Sequence, residues 1–183
     1  MDKQSDLLER SRRLDKHALA EVYDEYSPGL YRYAYRLTGN TDQAEECVAE
    51  VFTRFLHALS SGGGPRQWLR PYLYRVAHNW ITDQFRRQPP LYPLEEEWLA
   101  SPEAGPALQV HSRLEEAQVR SALRQLTPDQ RQVILLKFYE NFSNEEVALA
   151  LDKPVGAVKS LQHRALAALE RCLSAEEKSY ETI

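Results

Sequence analysis

Cysteine is scarce in this sequence. Cys47 and Cys172 are its only two, far apart and without a CxxC spacing, which excludes a disulfide scaffold and a thiolate zinc site. Both read as small apolar helix positions in a reducing compartment. No apolar run approaches the roughly 18 residues that a membrane span needs, and the polar start of the chain has none of the features of a signal peptide. A cytoplasmic protein without membrane insertion is expected. Metal and enzyme signatures are missing too: there is no HExxH, no phosphate loop, and no nucleophile paired with a base. The sequence therefore implies neither a cofactor, a metal nor a catalytic residue. An overall positive charge is also absent, the formal net charge being −4 over 183 residues.

What charge there is lies unevenly. Between Gly64 and Gln88 five arginines face one acid, Asp83, and between Lys153 and Leu173 four basic residues face only Glu170. Acid gathers at Glu45-Glu46, Glu95-Glu96-Glu97 and Glu176-Glu177. Two separated basic surfaces on an acidic chain point to two nucleic-acid contacts and at least one protein contact. The 43% hydrophobic content is enough for one modest core or two small ones.

The most informative stretch runs from Thr127 to Arg171. Thr127 precedes Pro128 and stands three residues before Gln130, the pattern of a capping box with proline in the first turn. The helix it starts carries Val133, Ile134, Leu136 and Phe138 as an apolar face. Ser143 with Glu146 marks a second start, for a short helix bearing Val147, Ala148 and Leu151. Asp152-Lys153 forms a turn and Pro154 opens the last helix. Two helices joined by so short a turn, the second rich in basic and amide side chains, read as a helix-turn-helix. At 100° per residue Lys159, Ser160, His163 and Arg164 share one arc of the last helix, while Val158, Leu161, Ala165, Leu169 and Cys172 share the opposite one. The first arc carries groups that read base edges and phosphates, and the second packs inward.

Upstream, Asp2–Arg13 reads as a short polar helix or a frayed lead-in. From Asp15 to Leu37 apolar residues recur at helical steps, with Ser27-Pro28 either kinking one helix or starting another. Gly39-Asn40 ends the segment. Asn40 or Thr41 then caps a helix to about Leu59, whose polar side holds Glu45, Glu46, Glu50 and Arg54. Ser60–Gly64 is a flexible loop. The next segment, PRQWLRPYLYRVAHNWITDQFRR, interleaves Trp68, Tyr72, Tyr74, Trp80 and Phe85 with its arginines. Such a helix either grips single-stranded nucleic acid by stacking and phosphate contacts or packs through its aromatics beneath a solvated basic rim. From Pro89 to His111 periodicity stops, as in a linker between domains. An amphipathic helix follows from Ser112 to Leu126, and after Leu173 the chain ends in a short polar tail.

These parts, in this order, resemble an RNA polymerase sigma factor of the extracytoplasmic-function (ECF) group of the sigma-70 family. The likeness is carried by DQAEECVAEVFTRFLHAL, by WLRPYLYRVAHNWITDQFRR with its following PP, and by LTPDQRQVILLKFYENFSNEEVALALDKPVGAVKSLQHRAL. The resemblance implies an all-α fold of two small helical domains joined by a flexible acidic, proline-rich linker, the C-terminal domain being a helix-turn-helix. The spans are 1–88 for core polymerase and the −10 element, 89–111 for the linker, 112–173 for the −35 element and 174–183 for the tail. It implies that Glu46, Val48, Glu50 and Phe52 dock on the clamp of the polymerase largest subunit. Asn79 would read a flipped base of the −10 element, with Arg75, Trp80, Arg86 and Arg87 holding the single strand. Lys159, Ser160, His163 and Arg164 would contact the −35 duplex, and Glu95–Glu97 would mimic nucleic acid. Core RNA polymerase, promoter DNA and an anti-sigma factor are the implied partners. The sequence departs from the family pattern at Ala49, where Gln is usual, at Asp152, where Gly is frequent, and at Leu161, where Arg is common.

A helix-turn-helix regulator of the response-regulator or quorum type is the nearest rival, since its output domain carries a similar string. That class needs a receiver or ligand domain in front, and the front half here lacks alternating strands. An all-α enzyme is the third reading, and no constellation of residues favours it.

Overall fold

The computed structural model describes residues 3–87, 119 and 121–180. The expected linker, Glu95–Glu97 and the start of the helix from Ser112 lie outside the described residues. All regular elements that are described are helical. By packing, the chain divides into two units, Met1–Glu95 with Glu145–Lys153, and Glu96–Asn144 with Pro154–Ile183.

In the first unit α1 (Lys3–Arg12), α2 (Lys16–Thr38), α3 (Thr41–Ser60) and α4 (Leu69–Arg87) follow one another. Helix α2 packs on α1, α3 and α4, and α3 packs on α4. The core between them is aromatic as well as aliphatic. Tyr33 and Tyr74 are both buried, with ring centroids 5.4 Å apart, beside Leu30, Leu37, Phe55, Leu69, Leu73 and Ile81. Each large apolar side chain so placed contributes about 1.5–3 kcal/mol relative to exposure.

Local chemistry sets the ends of these helices. Asp15 caps α2, its carboxylate accepting from the His17 N–H at 2.8 Å, and Asn40 caps α3 through the Gln43 N–H at 2.9 Å. Gly39 ends α2 at φ 65°, donating to the Tyr35 carbonyl at 2.8 Å. Helices α1 and α3 end in the same closing bond, from an N–H back to the carbonyl five residues earlier: Asp15 to Arg10 at 3.2 Å and Gly63 to Ala58 at 2.8 Å. That bond needs a left-handed residue just before the donor. Gly62 supplies it at φ 76°, but Leu14 supplies it at φ 58°, a conformation that disfavours a branched side chain. Pro28 lies inside α2 without ending it. Pro28 and Asp24, whose carbonyl loses its donor, both face solvent, so water can take up the unpaired group.

In the second unit a helical stretch at 121–125 leads to α5 (Pro128–Ile134), a π turn (Leu135–Tyr139), and α7 (Val155–Tyr180). Leu123, Leu126, Ile134 and Ala165 form its core, with Val119, Tyr139, Ala168 and Leu169 packed against it. The Thr127 capping box forms: Gln130 N–H donates to Thr127 Oγ1 at 3.3 Å, and Thr127 N–H donates to Gln130 Oε1 at 3.1 Å. Arg131 is 5% exposed. Its guanidinium donates to the carbonyls of Leu123 (2.8 Å), Arg124 (3.0 Å) and Leu126 (3.3 Å), filling acceptors that a helix end leaves open.

Helix α6 (Asn144–Leu151) buries Val147, Ala148, Ala150 and Leu151. Asp152 closes it at φ 51°, with Lys153 N–H bonded to the Ala148 carbonyl at 3.0 Å. One sequence expectation is corrected here and one is extended. Phe138, assigned to the apolar face of the helix after Thr127, is 49% exposed, because the π turn adds a residue to the repeat and rotates the side chains within it away from the helical register. The chain beyond Leu173 continues as helix to Tyr180, in keeping with the high helix propensity of the Ala, Glu and Lys residues there.

Candidate nucleic-acid interface

Helix α7 sorts its residues by face. Lys159, Ser160, His163 and Arg164 are exposed and line one open depression, while Val158 and Ala165 are fully buried. The Arg164 Nε donates back to the Ser160 carbonyl at 3.3 Å, which lays the guanidinium along the helix. All four residues expected to meet duplex DNA are thus on one surface. They offer an ammonium, a guanidinium, an imidazole and a hydroxyl, groups suited to phosphates and base edges. Cys172, on the other side, donates its thiol to Gln125 Oε1 at 3.3 Å.

Helix α4 presents a second cationic surface. Arg75, Asn79, Arg86 and Arg87 are exposed. Arg75 sits over the Tyr72 ring at 5.7 Å and Arg70 over Tyr74 at 5.9 Å, so rings orient guanidinium groups along the helix. Arg86 pairs loosely with Asp83 at 3.8 Å. Trp80 does not belong to this surface. It is 6% exposed, and its side chain is part of the core rather than a support for DNA. Trp80 and Ile81 are both buried because α4 is covered by α2 on one side and α3 on another.

Two further residues stand out beside that surface. Trp68 is 54% exposed at φ 58°, and Arg12 reaches from α1 to the carbonyls of Gly63 (3.1 Å) and Pro65 (2.9 Å). The glycine run before Trp68 is a sequence hint of an irregular approach, but nothing in the sequence marks a left-handed tryptophan.

The outer side of α3 is acidic. Glu45 and Glu46 are exposed and Glu50 is half-buried, paired with Arg54 at 2.6 Å. Val48 and Phe52, expected to touch the polymerase, are only 7% and 8% exposed. Phe52 packs against Tyr23 at 4.8 Å, so these two shape the surface from beneath. The apolar groups that do reach solvent are Tyr23 (49%) and Leu56 (43%), both of which helical spacing places on the apolar faces of their helices. Cys47, behind this face, has its thiol pushed up to about 12 by burial and is inert at neutral pH.

Among the described residues no helix is long and apolar enough to cross a membrane. The fold and these surfaces define an all-helical protein with helix, turn and helix at residues 144–180 and a separate arginine-aromatic helix. The sigma-70 region 2 family model matches residues 22–89 and the sigma-70 region 4 model matches residues 116–169. The ECF RNA polymerase sigma factor SigL of Mycobacterium tuberculosis is 33% identical over 83% of this chain and 86% of its own length. BldN of Streptomyces coelicolor, another ECF sigma factor, is 31% identical over 92% of this chain, which spans 65% of BldN, just under two thirds. The solved structure of CnrH in complex with the cytosolic domain of CnrY shares 25% identity, with a TM-score of 0.72 and coverage of 95% of this chain and 99% of that one. The chain belongs to the ECF group of the sigma-70 family.

Proposed function

We propose that this chain binds core RNA polymerase, directs it to promoters and takes part in opening the DNA, without turnover of its own. The observation that carries the reading is the sorting of α7, which exposes Lys159, Ser160, His163 and Arg164 together and buries Val158 and Ala165. These four residues contact the −35 duplex. Asn79 contacts a flipped base of the −10 element, and Arg75, Arg86 and Arg87 hold the neighbouring phosphates. The functional division follows the sequence spans: 1–88 serves the polymerase and the −10 element, 89–111 links, and 112–173 serves the −35 element. Helix α3 meets the clamp of the largest subunit through Glu46 and Glu50, joined by Tyr23 and Leu56, while Val48 and Phe52 hold that surface in shape. Acid on this side suits a basic partner groove.

Exposed basic faces also invite a protein cover in the free state. CnrH, which this chain resembles, was solved in complex with the cytosolic domain of CnrY, and an anti-sigma factor is the corresponding partner here. The setting is the cytoplasm. A regulator of the response-regulator type has no support, since sigma-70 models match in both halves of the chain. The test is transcription in vitro by core enzyme with the purified chain over a library of promoter fragments. Specific initiation that depends on the chain is expected. Core enzyme that starts no more specifically with the chain than without it would refute the reading.

A further inference from the structure

Helix α7 carries a glycine, Gly156, directly after its first residue, Val155. Apart from proline, glycine is the least favourable residue for a helix, because fixing its backbone costs the most entropy. Other glycines have a reason in the fold. Gly39, Gly62 and Gly64 sit at positive φ, and a Cβ on Gly63 would lie 3.3 Å from the Ala58 carbonyl oxygen. Gly156 has neither. It is exposed and helical, and among the described residues nothing lies within 4 Å of a Cβ placed on it. No described neighbour requires glycine here, and alanine would suit the helix better.

Its place on α7 supplies a reason. At 100° per residue Gly156 lies about 20° from His163 and about 40° from Ser160, with Lys159 about 60° to one side and Arg164 about 80° to the other. It is the leading point of the exposed arc, opposite the buried Val158 and Ala165. A helix with its side chains is about 10–12 Å across and the major groove about 12 Å wide, so a helix laid there has almost no slack. Bare backbone at the leading point lets the axis sit lower by about one carbon–carbon bond, ~1.5 Å. A hydrogen bond lengthened by that much is lost, and the short Ser160 and the ring of His163 cannot make up the distance. Lys159 and Arg164 can, since long stems carry their charges at the flanks, where phosphates line the groove.

Resting on the sigma-factor reading of α7, we infer that Gly156 is the point of closest approach to the floor of the upstream groove. It is a positioning residue, present at a cost in helix stability, because a side chain there would lift Ser160 and His163 off the base edges.

The test uses holoenzyme assembled from core polymerase and the full chain. The probes are a duplex carrying the upstream block that the parent selects from a randomised promoter library, and the same duplex with that block scrambled. Gly156→Ala should melt at or above the temperature of the parent. Its preference for the selected over the scrambled duplex should fall on the order of ten-fold, comparable to the loss of one base pair from a site. Affinity for the scrambled duplex, and its salt dependence, should stay as in the parent, because Lys159 and Arg164 keep their phosphates. Gly156→Leu should lose the preference altogether. An unchanged preference in Gly156→Ala would overturn the inference, as would an equal loss on both duplexes or a melting temperature below that of the parent. In each of these cases promoter-specific initiation by the parent leaves the sigma reading standing. A parent that selects no upstream block would overturn both.

Discussion

Leu14 and Asp152 occupy the same structural position at the ends of two helices, and neither is the glycine that position favours. Each sits at positive φ, 58° and 51°, with the next N–H closing the helix behind it. A left-handed residue with a Cβ costs roughly 1–2 kcal/mol, and glycine returns part of that through greater freedom in the unfolded chain. Leu14 is 47% exposed, so little packing is lost on its removal. Leu14→Gly should therefore stabilise the protein by roughly 0.5–1 kcal/mol in urea unfolding; a lower midpoint would show that the Leu14 side chain contributes contacts worth more than the backbone relief. The next residue titrates. Asp15 has its carboxyl held below the ordinary 3.8, first by the His17 N–H and also by those of Ala18 and Arg10, against some desolvation. A lowered value means that its contribution is complete above pH 3.8 and is lost as pH falls through the folded value. The stability difference between the parent and Asp15→Ala should stay constant from about pH 5 to 8, on the order of a helix cap, and narrow below about pH 4. A difference that widened on acidification would reverse the sign of this account.

At the scale of elements, starts are easier to read from the sequence than faces. Thr127-Pro128 with Gln130 marks a cap that the structure contains bond for bond, because a cap depends on three or four adjacent residues. Phe138 departs from its expected face because a π turn changes the repeat within a run whose letters look uniformly helical. Trp80, Val48 and Phe52 are buried as helical spacing allows, and it is the outward roles implied by the family resemblance that they depart from, in helices covered on two sides. Pro28 leaves two readings open in the sequence, since tertiary packing of Leu30, Tyr33 and Leu37 outweighs one missing bond. Arg131 gives no signal either; an arginine amid Asp129 and Gln132 reads as surface. Its three carbonyl contacts join the end of the 121–125 stretch to α5. Arg131→Ala should cost about 2–3 kcal/mol through buried acceptors left unpaired, seen as a lower urea midpoint. A loss below about 0.5 kcal/mol would mean that water takes over those carbonyls.

For the molecule as a whole, the exposed residues of α7 that we propose meet DNA are legible because polar and apolar letters alternate there with a helical period. The proposed single-strand surface is legible only in part, since its arginines can be named while the choice of which aromatics are buried, Trp80 at 6% and Trp68 at 54% exposure, appears only in the packing. The two surfaces belong to different units, and the central claim is that each reads its own part of one promoter. Sequencing the starts chosen by core enzyme from a randomised promoter library, with the parent chain, His163→Ala and Asn79→Ala in parallel, tests this most directly. Two sequence blocks at a fixed spacing should be recovered with the parent, the upstream block alone altered by His163→Ala and the downstream block alone by Asn79→Ala. A single block, or the same block altered by both substitutions, would contradict the account.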